Sequence, residues 1–233
     1  MVKAESLGFS TERLKKLDAF LAAKYVEAGR IPCAQIQILR RGELVHEAVL
    51  GKADIERNKP ATRDTLFRIY SMTKPITSLA FMMLVEEGLV ALEDPVARFI
   101  PEWKNLAVYS AGLGPYMTTP TARPMQMIDL LRHTSGLTYG FQTRTNVDAA
   151  YRKMKVADMN GPSDMDGFVN DLARLPLEFS PGDAWNYSVA TDVLGVLVQR
   201  ISGVAFETFL QDRIFRPLGM TETGFSVRPD QKD

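Results

Sequence analysis

The chain has 233 residues, enough for one large domain or two small ones with a sizeable core. Its 28 basic and 28 acidic residues cancel, which removes the electrostatic reason to expect nucleic acid or an acidic membrane as a partner. Its single cysteine excludes an internal disulfide framework, and its two histidines leave little room for a histidine-rich metal site. We therefore expect a cytoplasmic protein with no metal, no cofactor and no membrane partner, and the lack of an apolar N-terminal leader favours this too.

The first predicted elements are a helix and a β-hairpin. Ser10 is a suitable N-cap, a pattern of apolar residues at helical spacing follows it, and Gly29 ends the helix. Alternating apolar residues over Cys33–Ile38 predict a strand. The pair Arg41-Gly42 predicts a turn, and Leu44–Leu50 is the predicted returning strand.

Only helices are predicted after Arg68. Ser71–Glu87 is apolar on most sides, which predicts a helix buried at the centre of a domain. Further helices are predicted over these segments: Met125–Arg132, a segment with Ser163 and Asp166 as its capping box, Ser188–Ile201 and Ala205–Ile214. No strand is predicted after Leu50. We divide the chain into residues 1–66, the N-terminal part of an α/β region, and residues 67–233, a helical region.

The predicted sheet is incomplete. Two strands covered by one helix do not make a stable sheet, because three or more strands are normally needed. A partner protein could supply strands, or the chain could stop before its own remaining strands. We favour the second interpretation, in which C-terminal strands are missing from this chain.

Ser71 and Lys74 form a Ser-x-x-Lys motif at the start of the predicted buried helix. If Ser71 caps or opens that helix, Lys74 lies one turn later on the same face, and its amine can approach the Ser71 hydroxyl. A serine hydroxyl is a poor nucleophile until a neighbouring group takes its proton. Free N–H groups at a helix N-terminus would also favour a developing oxyanion. The two residues are therefore candidates for a nucleophile and its base.

The spacing alone does not decide the role of this pair. In a chain of this composition, about half an occurrence of a serine and a lysine at this spacing is expected by chance. A serine that caps a helix, followed by a solvated lysine, has the same pattern. The context favours catalysis, because Lys74 is the only charged residue in the first three turns of an otherwise apolar helix. A buried charge without a purpose there would be costly.

Tyr187 is the second candidate. It immediately precedes Ser188, the predicted N-cap of a later helix, and follows the loop Ser180–Asp183. A tyrosine beside a cationic lysine loses its proton more easily and can pass it to a leaving group. A core tyrosine at the start of a helix would have the same local sequence, so this interpretation stays open at this point.

Four motifs in one order carry a resemblance: Ser71–Lys74, Leu130–Leu137, Ser180–Gly182, and Tyr187-Ser188 with Asp192–Gly195. The chain resembles the serine β-lactamase-like superfamily, which includes class C β-lactamases, DD-peptidases and family VIII carboxylesterases. The resemblance runs from Ile31 to Met220 and implies an α+β fold, with an antiparallel sheet flanked by helices plus a helical subdomain. It further implies Ser71 as the acylated nucleophile, Lys74 as its proton partner and Tyr187 as a general base or acid.

Two departures from that superfamily bear on function. Lactamases and peptidases usually carry Tyr-x-Asn, in which the Asn binds the substrate amide, whereas Val189 occupies that third position here. Tyr187-Ser188-Val189 is similar to the esterase branch, and a site without the amide-binding group discriminates less well in favour of amides. Family members also continue well past this point, with strands and a third motif that supplies an oxyanion N–H. We therefore expect the C-terminal remainder of the same protein as a partner.

Our first hypothesis is a serine carboxylesterase that cleaves a small-molecule ester through an acyl-enzyme on Ser71. Lys74 and Tyr187 would act as general base and acid, and which of them is the acylation base stays open. A β-lactamase, DD-peptidase or acyltransferase would use the same acyl-enzyme, and a non-catalytic relative would bind an acyl ligand or a protein. Tyr139 is a candidate for substrate binding, although packing explains it equally well. His133 is predicted to be a structural hydrogen-bonding residue.

Overall fold

A computed structural model describes residues 2–157 and 164–231 of the chain. The chain divides into two compact units, Met1–Arg68 and Ile69–Asp233. Both units combine helices with antiparallel strands, so the α+β fold class predicted from the sequence is confirmed. The predicted capping residue Ser163 lies outside the described residues.

The first unit contains the predicted helix and hairpin. Its described elements are a 3-10 turn (Ala4–Leu7), α1 (Thr11–Leu21) with a π-helical continuation (Ala22–Val26), β1 (Cys33–Arg40), β2 (Glu43–Asp54) and β3 (Lys59–Pro60). The side chain of Ser10 accepts a hydrogen bond from the N–H of Arg13, as expected of an N-cap. The strands pair in the order β1-β2-β3, so a short third strand extends the predicted hairpin.

A small apolar core holds the first unit together. Its buried members are Ala4, Leu14 and Val45. A polar contact supports it, because Nε2 of His46 on β2 lies 2.8 Å from Oδ1 of Asp18 on α1. The helix is therefore fixed to the hairpin by both apolar and polar contacts.

The second unit is mainly helical. Its described helices and strands are α2 (Thr73–Glu86), β4 (Ala107–Ala111), β5 (Met117–Pro120), α3 (Met127–Leu131), α4 (Asn146–Met154), α5 (Met165–Ala173), α6 (Ala190–Ser202) and α7 (Phe206–Leu210) with a π-helical continuation (Gln211–Phe215). Its 3-10 turns are Tyr70–Met72, Val96–Arg98, Pro101–Trp103, Gly140–Gln142 and Pro229–Gln231.

The core of the second unit forms where α2 packs against α6. Phe81 on α2 and Leu194 and Leu197 on α6 are completely buried. Burying a side chain of this size contributes about 1.5–3 kcal/mol relative to leaving it in water. The two helices that begin beside Ser71 and Tyr187 are thus fixed to each other by the largest apolar cluster of the unit.

The helix α2 is not buried on every side, so the sequence-based expectation was wrong on this point. Ala80, Phe81 and Leu84 are buried, but Leu79 is 48% exposed and Met82 is 39% exposed. Residues three apart share a helix face, so these two exposed side chains lie on one face. The apolar composition of α2 indicated burial, but only one face of the helix meets α6.

The hairpin of β4 and β5 contradicts the expectation that no strand follows Leu50. Ala107 pairs with Pro120 and Tyr109 with Thr118 in an antiparallel ladder. The strands escaped sequence analysis because they are short and because β5 is exposed along its whole length. Neither strand therefore carries the alternation of buried and exposed residues by which a strand is recognised.

No single helix among the described residues is long and apolar enough to cross a membrane. Within the part of the chain that the structure describes, one pair, α6 together with Phe206–Phe215, reaches the required length and composition, and it is bent by 85°.

Asp129 anchors the loop that follows α3. Its carboxylate accepts a bidentate pair of hydrogen bonds from Arg123 at 2.7 and 2.8 Å, and further bonds from the Gln126 N–H and the Thr134 hydroxyl. The carbonyl of Thr134 in turn accepts a hydrogen bond from the N–H of Gly182 at 2.8 Å. Burial raises the pKa of Asp129, but the bonds from Arg123 and Gln126 outweigh it, so the pKa lies below its ordinary value.

We predict that Asp129→Asn lowers the free energy of unfolding near neutral pH by about 1.5–3 kcal/mol, the usual contribution of hydrogen bonds to a charged group. Because the pKa of Asp129 is depressed in the folded state, its stabilisation is complete above the unfolded pKa of about 3.9. It is lost as the pH falls through the folded pKa. The difference between wild type and variant, measured by denaturant unfolding, should therefore narrow in acid.

The matched control is Asp171→Asn, since Asp171 is more exposed and its ion pair with Arg174 spans 3.7 Å. An exposed pair of this kind contributes about 0–1 kcal/mol. Equal losses of stability in the two variants would contradict the anchoring role of Asp129.

Candidate active site

The three residues singled out by the sequence motifs meet in the second unit. The Lys74 amine donates a hydrogen bond to Oγ of Ser71 at 3.3 Å. Oη of Tyr187 lies 2.5 Å from the same oxygen, across 116 positions of sequence. One hydroxyl, one amine and one phenol therefore share a single hydrogen-bonded cluster.

The backbone around Ser71 differs in detail from the prediction. Ser71 lies in the 3-10 turn Tyr70–Met72, and α2 begins two residues later at Thr73. Lys74 still follows one turn after Ser71, because the turn and the helix are continuous. The side chain of Ser71 is exposed, so a substrate can reach its oxygen.

Tyr70 has a left-handed backbone conformation with φ 42°. Such a conformation is rare for a bulky residue and costs roughly 1–3 kcal/mol. The strained residue directly precedes Ser71, and conformations of this kind concentrate at active sites. Its position is thus consistent with a turn that presents Ser71 to a substrate.

The loop that carries Tyr187 is held by the segment 133–142. The buried side chain of Asn186 donates to the carbonyl of Leu137 at 2.9 Å, and its backbone N–H donates to the carbonyl of His133 at 2.9 Å. The side-chain amide of Gln142 donates to the carbonyl of Tyr187 itself. These bonds fix the backbone on both sides of the phenol, so its position is set by the fold.

Gly136 is required in that segment. Its φ is +84°, and a Cβ at this position would lie 2.3 Å from the carbonyl oxygen of Phe179. Any other residue would force the two backbones apart. The glycine therefore allows the segment after α3 to lie directly against the chain that leads to Ser180.

The amine of Lys74 lies close to two tyrosine rings. Its Nζ is 4.8 Å from the ring centroid of Tyr187 and 5.5 Å from that of Tyr139. The two rings are 5.3 Å apart. Aromatic faces attract an ammonium group at these distances, so the rings restrict where the flexible lysine side chain can go.

The Tyr187 phenol is tuned by opposing effects. Burial raises its pKa, but hydrogen bonds with Lys74 and Ser71 and the positive charge of Lys74 lower it more. The net pKa of Tyr187 therefore lies below the usual value of about 10. A phenol with a depressed pKa is better suited to accept and return a proton near neutral pH.

The pKa of Tyr139 is shifted in the opposite direction. Burial, the charge of Asp192 and a hydrogen bond to Asp192 raise the pKa of Tyr139 well above its ordinary value. Its hydroxyl donates to Oδ2 of Asp192 at 3.0 Å. The pKa values of these two neighbouring tyrosines are thus shifted in opposite directions. Of the two, it is Tyr187 whose hydroxyl contacts Ser71.

His133 lies beside the cluster in a structural position. Its ring is 5.1 Å from the ring of Tyr187, and its Nδ1 is 3.2 Å from Oγ of Ser188. Burial, and to a smaller extent the charge of Lys74, lower its pKa and favour the neutral ring. The histidine therefore hydrogen-bonds next to the site, as the sequence suggested, and pairs with Ser188.

The roles of Gln142, Asn186 and Asp192 were not found from the sequence. Asp192 belongs to a motif that supported the family resemblance, but that motif did not indicate its contact with Tyr139. Gln142 and Asn186 act through backbone carbonyls of distant segments, and no spacing rule links such positions. Among the described residues, no group of three or more His, Cys, Asp or Glu is placed to hold a metal ion.

Residues 19–233, which include Ser71, Lys74 and Tyr187, match the family model described as Beta-lactamase. The chain belongs to the Beta-lactamase family. The resemblance to the serine β-lactamase-like superfamily is thereby confirmed, and similarity to an esterase places the chain near the esterase branch.

Several known proteins are similar to the chain. Protein Rv1367c of Mycobacterium tuberculosis is 42% identical over 205 residues, which are 88% of this chain and 50% of that protein. Esterase EstB of Burkholderia gladioli is 35% identical over 197 residues, which are 83% of this chain and 47% of that protein. The solved structure of "EstCE1, a hydrolase with promiscuous acyltransferase activity" has a TM-score of 0.82 at 27% identity, covering 94% of this chain and 55% of that one. The chain thus spans about half the length of the curated relatives it matches.

We predict that Lys74→Met raises the pKa of Tyr187, because it removes both the hydrogen bond and the charge that lower it. The measurement is the ultraviolet absorbance of ionised tyrosine during a pH titration, with a Tyr187→Phe variant subtracted to isolate the signal. Lys104→Met, which removes an exposed lysine, is the control and should leave the titration unchanged. An unshifted curve in Lys74→Met would contradict the coupling.

Proposed function

We propose that the protein is a serine hydrolase that cleaves carboxylic esters through an acyl-enzyme on Ser71. The observation that carries the proposal is the 2.5 Å contact between Oγ of Ser71 and Oη of Tyr187, with Lys74 donating to the same Oγ. A nucleophile within hydrogen-bond reach of a base, which is itself oriented by a third group, is the arrangement that activates a serine.

In the acylation step, Oγ of Ser71 attacks the ester carbonyl carbon while its proton passes to Tyr187. The depressed pKa of Tyr187 supports its assignment as the proton acceptor. Tyr187 accepts this proton as a phenolate, and Lys74 stabilises that phenolate before the transfer through its charge and its hydrogen bond. Collapse of the tetrahedral intermediate breaks the bond to the leaving alcohol, and Tyr187 returns the proton to the alkoxide.

In the deacylation step, a water molecule takes the place of the alcohol. Tyr187 accepts a proton from this water, and the remaining hydroxide attacks the acyl carbon. The bond to Oγ of Ser71 then breaks, and the proton on Tyr187 returns to that oxygen. The same phenol therefore serves both half-reactions, first as base and then as acid in each.

The position after Ser188 supports an ester rather than an amide as substrate. Val189 is completely buried in the core of the second unit, so it presents no hydrogen-bonding group to a substrate amide. A site built to bind an amide with a polar side chain would leave that group unpaired when an ester is bound. The similarity to Esterase EstB points in the same direction.

Acyl transfer is a second candidate function. It uses the same acyl-enzyme, with an alcohol or amine in place of water. The similarity to EstCE1, which is described as a hydrolase with promiscuous acyltransferase activity, favours this alternative. Product analysis in the presence of an added alcohol shows how much of the acyl group passes to water and how much to the alcohol, and this ratio separates hydrolysis from transfer.

We predict that Ser71→Ala in the natural full-length protein lowers the hydrolysis of p-nitrophenyl acetate by about 10³-fold or more, because the acylated oxygen is removed. Tyr187→Phe should lower kcat by about 10²–10⁴-fold, the usual contribution of a general acid–base. Mass spectrometry after treatment with a fluorophosphonate should show an adduct on Ser71.

Ser78→Ala is the control, because it removes a serine from α2, the helix that follows Ser71. Full activity in Ser71→Ala, or labelling at another serine, would refute the assignment of the nucleophile. We expect a chromogenic cephalosporin to be turned over more slowly than the ester. The opposite order would identify the protein as a β-lactamase.

A further inference from the structure

The hydrogen bond between Tyr139 and Asp192 joins two segments that border the candidate active site. Tyr139 ends the loop after α3 and precedes the 3-10 turn Gly140–Gln142. Asp192 lies in the first turn of α6, five positions after Tyr187. The 3.0 Å bond between Oη of Tyr139 and Oδ2 of Asp192 therefore ties this loop to the helix that follows the catalytic phenol.

The ring of Tyr139 is held at more than one point. Its hydroxyl is bonded to Asp192, and its face stacks on Phe141 with centroids 4.8 Å apart and an interplanar angle of 20°. The same ring lies 5.5 Å from Nζ of Lys74 and 5.3 Å from the ring of Tyr187. Tyr139 is thus placed to form one wall of the space that the lysine amine occupies.

A neighbouring ring can restrict the otherwise flexible side chain of Lys74. Its four-carbon side chain has many rotamers, and its hydrogen bond to Ser71 at 3.3 Å is longer than the usual 2.7–3.2 Å. A small displacement of the amine would lose this bond. A misplacement of about 1 Å can lower a reaction rate by about 100-fold.

We propose that Asp192 is a positioning residue for the reaction, which acts by holding the Tyr139 ring against Lys74 and thereby keeping the lysine amine at Ser71. This inference rests on the proposed function of Ser71 and Lys74. The carboxylate accepts a charge-assisted hydrogen bond from the phenol, which is stronger than a bond between neutral groups. Asp192 is not part of the apolar cluster of the unit, so its replacement removes no side chain from that core.

The test compares four variants of the natural full-length protein: Tyr139→Phe, Asp192→Ala, Asp192→Asn, and the double variant Tyr139→Phe/Asp192→Ala. Tyr139→Phe and Asp192→Ala should each lower kcat for p-nitrophenyl acetate by about 10-fold, with KM nearly unchanged. Because both remove the same bond, the double variant should be no slower than either single one. Asp192→Asn retains a carbonyl acceptor and should recover most of the kcat lost in Asp192→Ala.

Several outcomes would overturn the inference. Additive losses in the double variant would show that the two residues act independently. A loss in Asp192→Asn equal to that in Asp192→Ala would assign the effect to charge instead of the hydrogen bond. Asp192→Ala could fail to fold, as judged by thermal unfolding. In that case a lower kcat in Tyr139→Phe, together with a nearly normal kcat in Asp192→Asn, supports the inference, and an unchanged kcat in Tyr139→Phe overturns it.

Labelling of Ser71 by a fluorophosphonate separates this inference from the proposed function. No labelling of the wild-type protein would contradict the proposed function itself. Labelling of the wild type, with unchanged rates in Tyr139→Phe and Asp192→Ala, would contradict only the positioning role. Asp171→Ala is the control, because it removes a surface carboxylate of the same unit and should leave both labelling and kcat unchanged.

Discussion

The contact between the Ser71 hydroxyl and the Tyr187 phenol depends on two helices being fixed to each other. Ser71 precedes α2 and Tyr187 precedes α6, and the two helices pack through buried apolar side chains. The large apolar cluster thus does more than stabilise the unit. It brings Ser71 and Tyr187, 116 positions apart in sequence, to within hydrogen-bond distance. A change that loosened this packing would move the phenol away from the nucleophile.

The electrostatics of the site depend on the position of one amine. Burial alone would raise the pKa of both tyrosines, and it does so for Tyr139, whose hydroxyl faces a carboxylate. Tyr187 has its pKa lowered because it interacts with Lys74 and Ser71 instead. Two phenols whose rings are 5.3 Å apart therefore have different protonation chemistry, since one is bonded to an anion and the other interacts with a cation.

Local patterns in the sequence predicted the elements and contacts that local physics determines. The cap at Ser10, the hairpin after it and the approach of Lys74 to Ser71 follow from rules that act within a few residues, and all three are present. The exposed face of α2 depends on tertiary packing, which no short pattern encodes, and β4 and β5 are too short to show the alternation of a strand. The approach of Tyr187 to Ser71 was suggested by family resemblance, because no spacing rule reaches across the intervening chain.

The supporting polar residues explain why the phenol can be placed so close to the serine. Asn186 is buried and its amide donates to the carbonyl of Leu137, so the loop before α6 cannot shift without breaking a buried hydrogen bond. An unpaired buried amide costs about 1–3 kcal/mol. Val189, two positions past Tyr187, is buried in the core on the other side. Tyr187 therefore lies between a hydrogen-bonded residue, Asn186, and a buried apolar residue, Val189. Because position 189 is a buried valine, it offers no group that could bind a substrate amide.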